Sequence, residues 1–490
     1  MTALSAQEAA ARRIAAEVMA AALSAVDPAQ AIHRHVRREG GILQVDGRTY
    51  DLARHGRVYV VGAGKAGAPM AAALADLLGD RLTAGIVNVK KGHTATERVW
   101  QMRLGAGGHG LSPPPFPSPL PESGRGEGIK GREEGFNFPY PSITLVEAGH
   151  PVPDEAGRAG AEKIKVLLSD LRPDDLVFCL LSGGGSALLP LPAGDITLAD
   201  KQALTGALLR SGATINEINA VRKHCSQVKG GQLARWVQPA SLVCLILSDV
   251  VGSPLDVIAS GPTVPDTSTF GDAWAVLKRY GLEENAPPAI VAHLQRGLAG
   301  EIRETPKTGD PAFARTQNVL IGDNGQAAAA GVTRARELGL RAELMTTWLE
   351  GEAREVGRVA AALAKGLLRD EAPLARPACW VLGGETTVTV RGQGRGGRNQ
   401  ELALAAALAL DGWEGALVAA LATDGNDGPT NAAGAIATGS TIARGRAAGL
   451  DALATLADND SYRYFSALGD LIITGPTNTN VNDLLFIFAL

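Results

Sequence analysis

The segment Arg57 to Val61 is short, β-branched and aromatic, and it runs straight into Gly62-Ala63-Gly64-Lys65-Ala66-Gly67. Alanine and leucine then dominate from Ala66 to Leu78, and a second apolar run follows from Ala84 to Val89. A buried strand, a glycine turn, a helix and another strand, in that order, make the opening unit of an α/β sheet. The pattern recurs along the chain. Asp175 to Leu181 runs into Gly183-Gly184-Gly185, Ser241 to Leu247 ends at Ser248-Asp249, and Ala416 to Ala422 ends at Thr423-Asp424. Residues 5 to 38 read as helix with a break near Asp27-Pro28, and Thr386 to Arg391 reads as a strand. Gly300 to Pro311 is polar and rich in charge and proline, so it reads as a linker. The expected fold is α/β: two Rossmann-like domains, residues 1–299 and 312–490, with a cleft between them and residues 300–311 joining them.

Glycine supplies 60 of the 490 residues, against an average share of about 7 %. Part of that surplus lies between 103 and 142, a proline- and glycine-rich stretch with no period of 2 or 3.6. Such a segment cannot bury enough apolar surface to offset its ordering entropy, so it is expected to be a disordered insertion. The rest falls at the ends of the apolar strands.

The formal net charge of −4 gives no basic field to attract nucleic acid. The four cysteines form no C-x-x-C pair, which argues against a zinc ribbon or a disulfide framework. Glu8, Arg12, Arg13 and Glu17 interrupt the apolar N-terminal pattern, so that region reads as an amphipathic surface helix. No stretch has the length and composition of a membrane span. The expectation is a soluble cytoplasmic protein without nucleic-acid or membrane partners; a homodimer is left open.

Four groups of residues carry chemistry. Gly62, Gly64 and Gly67 fit G-x-G-x-x-G between a strand and a helix, where backbone N–H groups and the helix N-terminus attract anions. The second strand ends at Lys90-Lys91, where a ribose-binding acid would be needed for NAD, though an NADP site tolerates it. Lys65 would aim a compact charge at a phosphate or carboxylate. Ser182, Gly183, Gly184, Gly185 and Ser186 suit a second anion cradle. Glu385, Arg398 and Asn399 lie in a third glycine-rich region, where an arginine fork can meet a carboxylate or phosphate. Asp249, Asp424 and Asp427 follow apolar strands, where carboxylates can hold Mg²⁺ or accept an alcohol proton. His93 and His150 stand alone and read as structural. Together the groups form a toolkit for phosphoryl transfer, which needs charge neutralisation and positioning more than covalent chemistry.

The chain resembles the class II glycerate kinases, the family whose C-terminal part is the MOFRL domain. The segments that carry the resemblance include V-V-G-A-G-K-A-G from Val60, E-A-G-H-P-V-P-D from Glu147, L-S-G-G-G-S-A-L from Leu181 and N-A-V-R-K-H from Asn219. Further along are A-S-G-P-T-V-P-D from Ala259, G-G-E-T-T-V-T-V from Gly383, G-G-R-N-Q-E-L-A from Gly396 and T-G-P-T-N-T-N-V-N-D from Thr474. The resemblance implies ATP- and Mg²⁺-dependent phosphorylation of D-glycerate to 2-phosphoglycerate. It also implies that Lys65 and Arg398 are the functional pair. On that reading Lys65, Arg398 and Asp249 are catalytic, and Asp424 and Asp427 hold the metal. The cofactor is then bound by Gly62, Gly64, Gly67, Ser182 to Ser186, Glu385 and Asn399. The 103–142 stretch departs from the family pattern, and Asn431 stands where the family usually has Asp. Relatives labelled hydroxypyruvate reductases keep an NAD(P)H-dependent alternative in view.

Overall fold

A computed structural model describes residues 4–96, 100–104, 138–370 and 373–490. Most of the stretch expected to be an insertion lies outside the described residues. Its two ends do not, and they are built into the protein. Arg103–Leu104 is a strand, and Phe138 and Tyr140 pack against the main core.

The α/β expectation holds. The first sheet has six strands, in the order Thr316–Gly322, Ser241–Leu247, Leu176–Leu181, Val58–Ala63, Leu82–Lys90 and Ile143–Ala148. Every neighbouring pair in it is parallel. Strands such as Val58–Ala63 and Leu176–Leu181 are buried along their whole length, as expected where helices cover both faces.

The second sheet has seven strands, in the order Arg341–Leu349, Ala378–Gly384, Asp483–Ala489, Ala416–Ala422, Gly434–Thr438, Leu471–Ile473 and Arg103–Leu104. Only its first pair is parallel; the others are antiparallel. This half is α/β but not Rossmann-like. No helix separates Ala416–Ala422 from Gly434–Thr438, so the second strand has to return antiparallel beside the first. The expected strand from Thr386 to Arg391 does not form; Thr387 makes one isolated bridge to Glu352.

The sheets divide the chain differently from the 1–299 and 312–490 expectation. Thr316–Gly322 lies past the expected linker yet forms the edge of the first sheet. Arg103–Leu104 comes from the first half of the chain yet edges the second sheet. Residues 300–311 are docked rather than free. His224 Nε2 lies 2.7 Å from Glu304 Oε1, and Thr305 Oγ1 donates to Asp266 at 3.0 Å. Helix Ala6–Ala25 buries Val18, Met19 and Ala22 and packs on helix Asn324–Glu337. Gly331 makes room for the second sheet beneath this helix pair, since a Cβ there would lie 3.1 Å from Phe486 Cε1. One apolar cluster therefore runs from that helix pair through Leu245, Leu247 and Ile321 to Phe486. It fixes the two sheets so that the carboxyl ends of their central strands converge. Among the described residues no helix is long and apolar enough to cross a membrane.

Candidate active site

The two sheets meet at an ion pair. Lys65 follows Val58–Ala63 of the first sheet, and Asp424 follows Ala416–Ala422 of the second; Nζ and Oδ2 are 3.4 Å apart. Asp249, just past Ser241–Leu247, adds a second carboxylate. Its Oδ2 accepts from Asn480 Nδ2 at 3.4 Å across the same junction. Burial pushes the Asp249 carboxyl above the usual carboxylate range, and Asp424 adds to that while Lys65 opposes it. The sequence reading missed Asn480. Its signal was the polar run Thr477-Asn478-Thr479-Asn480 just ahead of an apolar strand. That run also braces the acidic loop: Thr477 Oγ1 donates to Thr423 O at 2.5 Å.

The Gly62–Gly67 turn is not an anion cradle. Gly64 N donates to Asn88 O, Lys65 N to Gly183 O, and Gly67 N to Gly64 O. Ala66 N donates to Ser182 Oγ at 3.0 Å. Four N–H groups that a phosphate would need are already paired inside the protein. The glycines serve close packing instead. A Cβ on Gly62 would fall 2.1 Å from Leu180 O, and one on Gly67 2.8 Å from Val87 Cγ1. What the turn offers a ligand is the Lys65 side chain.

The Ser182–Ser186 turn is open. Among the described residues the N–H groups of Gly183, Gly184 and Ser186 have no partner. Gly184 sits at φ +83°, where a side chain would be strained. Gly183 abuts Asp249 so closely that a Cβ would lie 2.4 Å from its Oδ2. Ser182 Oγ is turned inward as the cap on Ala66. Ser186 faces a cavity of about 880 Å³ that Ser182, Gly184, Gly185, Asp249 and His150 also line. The structure thus brings His150 to the site. Burial and the nearby Lys65 and Lys90 charges hold its imidazole down at about 4, so it is neutral at pH 7. Burial first, then Lys90 and Lys65, also lowers His93.

Arg398 opens helix Arg398–Ala409. Its Nε and Nη2 donate to Asp483 at 2.5 and 3.0 Å, and Nη1 lies 2.8 Å from Glu385 Oε1. Asp483 thus orients the fork, a residue the motif reading did not single out. Burial works against the guanidinium charge, and Asp483 outweighs it. Glu385 reaches the cavity wall, but Asn399 does not serve a cofactor in this arrangement. It is buried against Asp427, to which its N and Nδ2 donate at 3.1 and 3.3 Å.

Asp427 is likewise not placed to hold a metal. Its Oδ2 accepts Gln400 N and Nε2 at 2.8 and 3.0 Å while Oδ1 accepts from Asn399. It caps the helix from a neighbouring loop. Burial and the Asp483 charge push it up to about 6. Asn431, the departure from the family pattern, accepts from Tyr462 at 2.8 Å on the surface.

The family model described as "Domain of unknown function (DUF4147)" matches residues 14–295, and that of the MOFRL family matches 378–483. The D-glycerate 2-kinase of Thermotoga maritima is 40% identical over 474 residues, 97% of each chain. The glycerate 2-kinase of Pyrococcus horikoshii is 39% identical over 475 residues, 97% of this chain and 96% of that one. A crystal structure of a glycerate kinase from Thermotoga maritima superimposes with a TM-score of 0.80 at 38% identity, covering 98% of this chain and all of that one. With both family models in sequence order and relatives that match end to end, the chain belongs to the glycerate kinase family that carries a MOFRL domain.

Proposed function

We propose that the protein is a glycerate 2-kinase, transferring the γ-phosphoryl group of ATP to the 2-hydroxyl of D-glycerate. The observation that carries this reading is the meeting of Lys65 with Asp424 and Asp249 beside an open glycine turn. The hydroxyl oxygen of glycerate attacks the γ-phosphorus, the bond to the β–γ bridging oxygen breaks, and ADP leaves. Asp249 takes the hydroxyl proton; its raised pKa suits a base. Lys65 offsets charge on the transferring group. Arg398 has two of its five N–H bonds left after Asp483 and Glu385, enough to hold the glycerate carboxylate.

Mg²⁺ fits this donor set in one way. Among the described residues no three His, Cys, Asp or Glu side chains form a metal cage. Mg²⁺ commonly sits on one or two carboxylates with waters and substrate phosphates. Asp424 is the carboxylate available for that, and Asp427 is not. When bound, the ion supplies neutralisation of phosphate charge. Four cysteines, all free and buried, support a cytoplasmic location.

Hydride transfer from NAD(P)H has little support, because the paired N–H groups at Gly62–Gly67 leave no seat for a pyrophosphate. The test is ADP release from ATP over a panel of small hydroxy acids, with NAD(P)H oxidation by hydroxypyruvate run in parallel. ADP should form only with D-glycerate, and ³¹P NMR should show the 2-phosphate. Reductase activity without ADP release would sink the proposal.

A further inference from the structure

The 880 Å³ cavity holds three cations that this scheme does not use. Lys201 comes from helix Leu198–Arg210, Arg222 from helix Ile215–His224, and Lys229 from the turn that follows; all three line the cavity. Lys201 is 9% exposed, and its Nζ is buried without a hydrogen-bond partner. Lys229 is 3% exposed and donates to Ser186 O and Oγ at 2.7 and 2.8 Å. Arg222 has no carboxylate partner among the described residues, and burial alone lowers its pKa. Burial, with Arg222 adding, pushes Lys201 down to about 8. Burial and the other two cations lower Lys229 as well.

A neighbour on the same helix shows that the fold can pair a buried lysine here. Lys223 lies 3.2 Å from Asp266 and 3.8 Å from Asp256. The cavity's acids, Asp249, Glu350 and Glu385, form no ion pair with these cations, and two buried lysines and a half-buried arginine left without a carboxylate partner are costly to the folded protein. An anion entering the cavity offsets that cost. Two further features say which anion. A single carboxylate brings one charge to three cations, whereas a polyphosphate matches them. The rim carries Val152, Leu209 and Ile215, which are 62%, 61% and 53% exposed, an apolar platform that glycerate has no surface to cover. The same cavity reaches the open glycine turn beside Asp249. Ser186 Oγ is held there by Ser260 Oγ at 3.0 Å, itself donating to Asn219 at 3.0 Å.

We infer that Lys201, Arg222 and Lys229 bind the phosphate chain of ATP, with its base on Val152, Leu209 and Ile215 and its terminal phosphate towards the Gly183–Ser186 turn. The inference rests on the kinase reading for the identity of the nucleotide. Calorimetric binding of ADP and of inorganic tripolyphosphate to the full chain tests it, alongside steady-state kinetics, in Lys201→Met and Lys229→Met. Each variant should weaken both ligands and raise KM for ATP about tenfold to a hundredfold, the value of a hydrogen bond to a charged group. KM for glycerate should not move. The thermal midpoint of unliganded Lys201→Met should stay level or rise, because an unpaired buried charge is gone; Lys201→Gln replaces it if the methionine variant does not fold. Leu209→Ser should weaken ADP and leave tripolyphosphate binding unchanged. A rise in glycerate KM with ATP KM unchanged would assign the cations to the acceptor and overturn the inference. Normal ADP binding by both lysine variants, in a protein that still makes ADP with glycerate, overturns it while the kinase reading stands. Variant-sensitive binding in a wild-type protein that does not phosphorylate glycerate keeps the phosphate site and removes the kinase reading.

Discussion

Gly62–Gly67 and Gly183–Ser186 follow neighbouring parallel strands and look interchangeable in sequence. The first is closed: its N–H groups are paired and its glycines admit Leu180, Ser182 and Val87 at distances no Cβ permits. The second keeps N–H groups free and faces the cavity. The closed turn even supplies one edge of the open one, since Lys65 N donates to Gly183 O at 2.9 Å. Glycine enrichment after a strand therefore reports close approach of neighbouring protein atoms in one case and an open cavity wall in the other.

The comparison is easiest to break at its glycines. In Gly64→Ala the new Cβ falls 2.0 Å from Ser182 Oγ and 2.8 Å from Ser182 backbone, at φ +152°. Loss of at least ~3 kcal/mol, or no soluble protein, is expected from denaturant unfolding. Gly183→Ala meets side chains and no backbone, Asp249 Oδ2 at 2.4 Å and Asn480 Nδ2 at 3.2 Å. It should keep its stability within ~1.5 kcal/mol and lose turnover. Equal stability of the two variants would show that the first turn is not closed.

Next in size is Lys65→Met. A fall of about 10²–10³ in kcat/KM is expected, with an unfolding free energy within about 1 kcal/mol of wild type because the ion pair is partly solvated. The acidic loop gives the third contrast. Asp424→Asn should lower kcat about a hundredfold and leave the thermal midpoint in place. Asp427→Ala should cost roughly 1–3 kcal/mol, because it uncaps a helix and orphans buried N–H groups. If Asp427→Ala kept its midpoint and lost only activity, the assignment of Asp427 as a cap would fail.

The fourth effect is one of pH. Burial opposes charge on Glu304, yet His224 and the N–H groups of Phe270 and Thr305 hold it down at about 2. A carboxylate lowered on folding stabilises fully above its ordinary range and loses that contribution as pH falls from about 4.5 towards 2. Glu304→Gln should therefore flatten the acid limb of stability, read as urea midpoints at about pH 3 and pH 7. An unchanged acid limb would mean that residues 300–311 are not docked through this contact. The smallest effect is expected from replacing residues 106–136 with a short flexible linker. The melting temperature and kcat should stay unchanged, and a lower melting temperature would give that stretch a structural role.

Local signals were legible wherever one strand and its turn suffice. The first sheet, Lys65, Asp249 and Asp424 came directly from apolar runs and the residues that end them. What was not legible depends on partners distant in the chain. Nothing near Asp427 says that Asn399 and Gln400 will take both its oxygens. Nothing near Gly64 says that Asn88 will take its N–H. The cations Lys201, Arg222 and Lys229 lie on two helices and a turn with ordinary composition, and only packing reveals that they share a cavity without pairing to an acid. In the second sheet the last strand, Asp483–Ala489, inserts between two earlier ones, a pairing that periodicity does not encode.

One feature of the topology reaches beyond the site. The edge strand Arg103–Leu104 and the helix Ala6–Ala25 serve the C-terminal half, while Thr316–Gly322 closes the N-terminal sheet. The MOFRL half is thus not a portable module. A gene fragment starting near residue 312 would lack a strand and its covering helix, and its complement would lack the strand that shields Ser241–Leu247. Fusion, truncation or recombination at the apparent junction would leave two sticky edges, so the two halves can be exchanged between relatives only as one indivisible unit.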